Sequence, residues 1–197
     1  YYLGITKTEV DRIQALTTSM TDATSLGKKD SLKIVRFDVN ELIRSTLTSL
    51  EKMLQDKKLG VQLECYTDQN DRLMVKADRE AIMRVVNNLI VNAIKFTPEG
   101  GDIAIATEYH SKTGQVLVTV EDSGPGIPKE KRSRVFESFY KIDESRTNPG
   151  SGLGLYICKE ILRAHDQTIR VDASPIFGGA RFVFTLASAY DSEKDRG

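Results

Sequence analysis

Apolar residues recur at three- and four-residue steps near the start of the chain. Val10, Ile13, Leu16, Met20 and Ala23 alternate with polar positions, which predicts a helix over 5–25. The stripe is narrow and suits packing against another helix better than a broad core. Leu26-Gly27-Lys28-Lys29-Asp30-Ser31 then breaks the pattern and reads as a linker. From residue 33 the periods mix. Lys33–Asp38, Val61–Tyr66 and Leu73–Val75 read as strands, and Asp38 or Asn40 caps a helix through about Asp56. Asp78 caps a long helix to about Phe96. Asp102–Tyr109 and Gln115–Glu121 form a hairpin across a Lys-Thr-Gly turn. Pro128–Phe136 reads as a short helix, 138–151 as an aperiodic polar loop, and Leu153–Ala164 as a helix. Thr168–Asp172 and Ala180–Leu186 are the last strands, joined through Phe177-Gly178-Gly179. The order implies a two-layer α/β (α+β) sandwich, a mixed sheet with helices on one face.

Within that frame three segments carry unusual chemistry. On helix 79–96, Ile82, Met83, Val85, Val86, Leu89, Ile90, Ala93 and Ile94 cover about half the circumference. Arg84, Asn88, Asn92 and Lys95 line the other side. Asn is a poorer helix former than Glu or Lys, so two of them one turn apart need a reason. One is that an amide oxygen coordinates a hard cation while Lys95 meets a phosphate; the other is an incidental polar face.

The second segment is Val116–Gly126. Val116, Val118, Val120 and Asp122 share one strand face, and the valines mark it as buried. A half-buried Asp122 carboxylate needs a donor, which an adenine amino group or a backbone amide could supply. Gly124 and Gly126 allow close approach or positive φ. The third segment is Asn148-Pro-Gly150-Ser-Gly152-Leu153-Gly154-Leu155. It opens a helix with exposed N–H groups and the positive dipole end, an arrangement suited to phosphate. It lacks both the Walker ending and the Rossmann spacing.

Charge and composition narrow the field. Lys plus Arg equals Asp plus Glu at 28 each, so no global basic field favours nucleic acid. Cys65 and Cys158 fall in different elements and read as buried thiols in a reducing compartment. No apolar run approaches the roughly 18 residues that cross a bilayer, and no signal peptide opens the chain. The opening Tyr1 reads as the start of an excised fragment.

Taken in order, the segments resemble the ATP-binding domain of sensor histidine kinases. The wider family, with its Bergerat fold, also holds type II topoisomerase, mismatch-repair and chaperone ATPase domains. Asn88–Phe96 resembles the N box, Asp122–Gly126 the first glycine box, Phe136–Tyr140 the F box and Gly150–Leu155 the second glycine box. The resemblance spans roughly 30–188. It implies that Asn92 coordinates Mg²⁺ with Asn88 lining the same edge, that Lys95 approaches the phosphates, and that Asp122 accepts the adenine amino group against Gly124 and Gly126. Residues 137–151 would be a mobile lid whose Lys141 and Arg146 meet the triphosphate of ATP. Gly150, Gly152, Leu153 and Gly154 would receive phosphate at the helix start, and Thr185 would assist adenine recognition.

The implied domains are 1–27, the second helix of a phosphoacceptor bundle; 28–32, a linker; 33–188, the catalytic domain; and 189–197, a tail. ATPase relatives carry Glu, a water-activating base, at the position of Asn88, so Asn favours a kinase. The implied reaction moves the ATP γ-phosphoryl group to a histidine. Neither histidine fits the acceptor motif: His110 precedes Ser111, and His165, although followed by Asp166, ends a helix. The implied partners are a phosphoacceptor dimerisation domain and a response regulator receiver domain, in a homodimeric, cytoplasmically active parent whose membrane anchoring stays open. Two other classes remain: a regulatory nucleotide module (an anti-sigma-type serine kinase or a degenerate binder) and a coiled-coil adaptor built on 1–27.

Overall fold

The structure is a computed structural model that describes residues 31–68, 70–142 and 151–190. The expected helix over 5–25 lies outside the described residues. Strands β1 (Ile34–Asp38), β2 (Gly60–Cys65), β3 (Met74–Asp78), β4 (Asp102–His110), β5 (Gln115–Asp122), β6 (Ile169–Ala173) and β7 (Ala180–Ser188) form a seven-stranded sheet. Its order is β1-β3-β7-β5-β4-β2, and β6 also pairs with β7. Every pairing is antiparallel except β2 with β4.

Helices α1 (Val39–Ser49), α2 (Glu51–Asp56), α3 (Arg79–Phe96) and α4 (Gly154–Ala164) supply the second layer. Ile82, Val85, Val86, Leu89 and Ile90 of α3 are buried with Val116, Val118 and Val120 of β5 and Phe182, Phe184 and Leu186 of β7 in one apolar core. Burial of this contiguous apolar surface is the main force holding the helices on the sheet.

Three expectations need correcting. The helix expected from 38 or 40 to 56 is broken at Leu50, where φ and ψ are −101° and 3°. The preceding Ser45-Thr46-Leu47-Thr48-Ser49 run explains this. Ser45 and Thr46 donate to Leu42 O, Thr48 to Arg44 O and Ser49 to Thr46 O, and such back-bonding weakens and bends helices. The helix expected at 128–136 is instead two 3-10 turns, Lys129–Lys131 and Arg134–Phe136. Lys129-Glu-Lys-Arg-Ser-Arg134 offers no apolar stripe to bury. Met83, expected in the core, is 40% exposed.

Both ends of α3 are tied down. At the start, Asp78 accepts from the amides of Glu80 and Ala81 and from that of Lys33. Burial works against its ionisation, but these bonds outweigh it and hold the carboxyl below its ordinary range. At the other end, the Lys57 ammonium donates to Ile94 O, Lys95 O and Thr97 O at 2.8, 3.0 and 2.7 Å. One half-buried cation thus satisfies orphan carbonyls and opposes the negative dipole end. Lys57→Met is expected to lower unfolding stability by about 2 kcal/mol. An unchanged urea midpoint would refute that role.

Candidate functional site

The site lies where α3, the end of β5, the start of α4 and the β6–β7 turn meet. At one end is Asp122, which leaves β5 on the core side and is 4% exposed. Its Oδ1 accepts from Gly124 N at 2.9 Å and from Ala180 N at 3.2 Å. Burial pushes its carboxyl above the ordinary range; the two amides pull it back and neighbouring Glu121 adds to the rise. Both amide bonds end on Oδ1, and Oδ2 takes part in neither.

Glycines make this end tight. A Cβ on Gly124 would lie 2.8 Å from Phe96 O and 2.9 Å from Asp122 Oδ1, so the loop abuts the end of α3. Gly126 has φ +70°, and its Cβ would sit 3.3 Å from the carbonyl oxygens of Gly178 and Gly179. A Cβ on Gly179 would run into the Asp122 carbonyl oxygen. The turn Gly178-Gly179-Ala180 therefore abuts Asp122, a contact that its place between two strands in the sequence does not signal.

At the other end α3 meets α4. Asn88 Nδ2 lies 3.5 Å from Gly154 O, and a Cβ on Gly154 would approach Asn88 Oδ1 at 3.6 Å. Asn92 is half-buried one turn on, and Lys95 lies beyond it. Burial pushes the Lys95 ammonium down, and the nearby charge of Lys141 adds to the effect. Among the described residues these two cations repel each other, and an anion placed between them would relieve that repulsion. Lys95 Nζ also sits 4.7 Å from the Phe96 ring centroid.

Helix α4 begins with no side-chain cap and no acidic residue in its first turn. Its first N–H groups therefore keep their capacity for an acceptor. Leu153 contributes backbone only, since its side chain is 2% exposed in the core. Gly152 has φ +73° and its Cβ would lie 2.8 Å from Phe139 C. Phe139 is also left-handed, at φ 63°, and its N–H donates to Gly152 O at 3.1 Å. This contact ties together the two ends of the 140–151 segment. Next to it, Lys131, Arg134, Phe139, Tyr140, Lys141 and Ile142 line a cavity of about 570 Å³. Arg134 stacks on Tyr140 and Lys131 donates to Ile142 O.

The remaining expected site residues fare differently. Arg146 and Gly150 lie outside the described residues. Thr185 does not belong to the site. Phe182, Phe184 and Leu186 face the core, so Thr185 points from the opposite sheet face. There it pairs with Leu117 and accepts from Thr168 N at 3.1 Å. Among the described residues no cluster of three His, Cys, Asp or Glu side chains could hold a metal.

The histidines stand apart from this chemistry, while the buried Cys158 thiol lies against the Asn88 side chain. His165 accepts from Asp78 N at Nε2, 3.0 Å, so Nδ1 carries the proton donated to Ile161 O at 2.7 Å. It is a structural joint between β3 and α4. His110 lies near Glu108 at the hairpin end. Burial pushes the Cys158 thiol up to about 12, which makes it inert.

No helix among the described residues is long and apolar enough to cross a membrane. Residues 77–189 match the sequence profile of the histidine kinase-, DNA gyrase B- and HSP90-like ATPase family. The chain is 39% identical over 166 residues to the adaptive-response sensory kinase SasA of Nostoc sp., covering 76% of this chain and 41% of that protein. It is 32% identical over 199 residues to the sensor histidine kinase WalK of Bacillus subtilis, covering 98% of this chain and 31% of that protein. It therefore spans less than half the length of these curated relatives. The nucleotide-free catalytic domain of histidine kinase ThkA superposes with a TM-score of 0.68 at 33% identity, covering 78% of this chain and 97% of that one. Full-length ShkA, solved with AMPPNP, shares the fold with a TM-score of 0.78 at 24% identity, covering 97% of this chain and 39% of that one. The chain belongs to the histidine kinase-, DNA gyrase B- and HSP90-like ATPase family and carries the ATPase domain of a sensor histidine kinase.

Proposed function

We propose that this domain binds Mg–ATP and directs its γ-phosphoryl group to a histidine on a dimerisation domain of the parent protein. The P–O bond to ADP breaks, a P–N bond to the imidazole forms, and the displaced imidazole proton leaves to solvent. The observation that carries this reading is Asn88. The side chain that meets the backbone at the start of α4 is an amide, where ATPase relatives place a water-activating carboxylate. An amide cannot take a proton from water, so the site favours transfer over hydrolysis.

The residues fit the ligand. Asp122 Oδ2 would accept the adenine amino group. Lys95, Lys141 and the uncapped N–H groups of α4, with Gly152 and Gly154, would take the phosphates, joined by Arg146 and Gly150. Asn92 would hold Mg²⁺, which needs few protein ligands because phosphate oxygens and water complete its shell. The bound Mg²⁺ would neutralise charge developing on the phosphates. Catalysis by this chain would then consist of positioning and charge stabilisation. The ThkA relative is solved in complex with a response regulator, TrrA, which supports a receiver domain as the next phosphoryl acceptor of a homodimeric, cytoplasmically active parent.

The reading is tested by mixing the chain with a separately made histidine-bearing bundle and labelled ATP. Acid-labile, base-stable label on the bundle is the expected result. Label on serine, or tight ATP binding with no transfer, would instead make the domain a serine kinase or a regulatory binder. Asn92→Ala is expected to cut the Mg²⁺-dependent part of ATP affinity by about 10- to 100-fold. Calorimetric titration with and without Mg²⁺ reads that increment, and an unchanged increment would remove Asn92 from the metal site.

A further inference from the structure

We propose that Glu121 and Ser174 are positioning residues for base recognition: their hydrogen bond holds the Ser174–Gly179 turn, and through the Ala180 amide the turn holds the Asp122 carboxylate. The proposal rests on the reading of Asp122 as the adenine acceptor.

Glu121 and Asp122 are adjacent on β5 and therefore leave it on opposite faces. Glu121 is buried on the face away from the helices, 6% exposed. A buried carboxylate there costs desolvation that an apolar residue would avoid, so what it holds matters. Its Oε2 accepts from Ser174 Oγ at 2.6 Å, and its Oε1 pairs with Arg181 Nε at 3.3 Å. Ser174 is 4% exposed. Its single hydroxyl proton goes to Glu121, so its lone pairs are left for the turn. They accept from Ile176 N at 3.3 Å and Phe177 N at 3.0 Å. The Ser174 backbone closes the same turn, with Ser174 N donating to Gly179 O at 2.8 Å and Gly178 N to Ser174 O at 3.0 Å.

That turn lies against the site without slack. Gly179 leaves no room for a Cβ beside Asp122, Gly126 packs on the Gly178 and Gly179 carbonyls, and Ala180 N donates to Asp122 Oδ1. Gly124 N donates to the same oxygen. With two amides on Oδ1, the carboxylate is restrained and Oδ2 takes part in neither bond. If the Glu121–Ser174 bond is removed, the turn loses its side-chain anchor to β5, and the Ala180 amide is held by the strand pairings alone. The Asp122 carboxylate can then rotate, and a base that offers an amino group loses its advantage over one that offers a carbonyl.

The test titrates the full chain and its Ser174→Ala, Glu121→Ala, Glu121→Gln and Asp122→Ala variants with ATP and with GTP, both with Mg²⁺, by calorimetry. Ser174→Ala and Glu121→Ala are expected to lower ATP affinity about tenfold and to shrink the ATP-to-GTP affinity ratio at least about fivefold. Glu121→Gln, whose carbonyl still accepts from Ser174 while its NH₂ replaces the ion pair with Arg181, is expected to lose stability but to keep the ATP-to-GTP affinity ratio within about twofold of the parent. An unchanged ratio, an equal loss for both nucleotides, or a Gln variant whose ratio shrinks as much as the Ala variant's each overturns the proposal. Should Ser174→Ala fail to fold, the contrast between the two Glu121 variants decides it. If Asp122→Ala itself keeps the parent's ratio, the reading of Asp122 fails and the proposal falls with it. If Asp122→Ala collapses the ratio and Ser174→Ala and Glu121→Ala do not, only the proposal fails.

Discussion

Asp122→Asn is expected to lower ATP affinity by about 100-fold at neutral pH while leaving the unliganded fold at least as stable as before. The two halves of this result have one cause. Gly124 N and Ala180 N both donate to Oδ1, so in the variant these amides select the Asn carbonyl oxygen. The NH₂ group is then left where Oδ2 stood, and it meets the adenine amino group donor to donor. Stability moves the other way because burial holds the Asp122 carboxyl above its ordinary range. A carboxyl whose folded pKa is raised contributes stability that is present below its unfolded pKa, about 4, and lost as pH rises through the folded value. At neutral pH the fold therefore carries a disfavoured charge, which asparagine removes. The same titration acts on binding in reverse: ATP affinity is expected to weaken on acidification beginning above the ordinary carboxylate range. Thermal melts and calorimetry from pH 4 to 8 read both trends. A variant that loses stability, or keeps its affinity, contradicts the account.

Gly179→Ala carries the second large effect. Its Cβ would overlap the Asp122 carbonyl oxygen and lie 2.7 Å from Oδ1. The obstacle is backbone on a central strand, which cannot swing aside. A loss of about 3 kcal/mol is expected, in the range of severe overpacking, together with loss of ATP binding. The neighbouring residue supplies the control. Gly178 has φ +77° but nothing within 4 Å of its Cβ position, so Gly178→Ala should cost only about 1 kcal/mol of backbone strain. Denaturant unfolding of the two variants separates close approach from conformational freedom. Equal losses would show that the turn is sensitive to backbone strain alone.

The sequence foretold these features unevenly. The valine alternation on β5 was enough to place Asp122 on the core side, because three β-branched residues at period two leave one consistent face. The Asp78 cap and the apolar stripe of α3 were legible for the same local reason. The orientation of Thr185 is legible as well: Phe182, Phe184 and Leu186 declare the buried face of β7, and parity puts Thr185 on the other. The break at Leu50 was also written in its run of hydroxyl residues. What could not be read locally was the Gly179–Asp122 contact and the Ala180 bond, which joins residues 58 apart. Gly178 and Gly179 look alike in the sequence, and only the folded sheet shows that one is needed for its φ and the other for its missing Cβ. Lys57 is similar, since nothing near it in sequence points to the α3 carbonyls of Ile94 and Lys95, 37 and 38 residues on.

The place of β7 in the sheet has a consequence for how the chain comes off the ribosome. This strand, Ala180–Ser188, is the last among the described residues yet pairs with β3, β5 and β6. Before it emerges, β1 with β3 and β2 with β4 and β5 can form only as two separate partial sheets. The contacts that unite them, such as Val75 with Ser188, span most of the described chain, and closing such distant pairs is slow. A nascent chain halted before residue 180 should therefore remain open and sensitive to protease, with its apolar strand faces exposed. Because the Ala180 amide arrives with the same strand, the Asp122 end of the candidate site and the closed sheet would appear in a single late step.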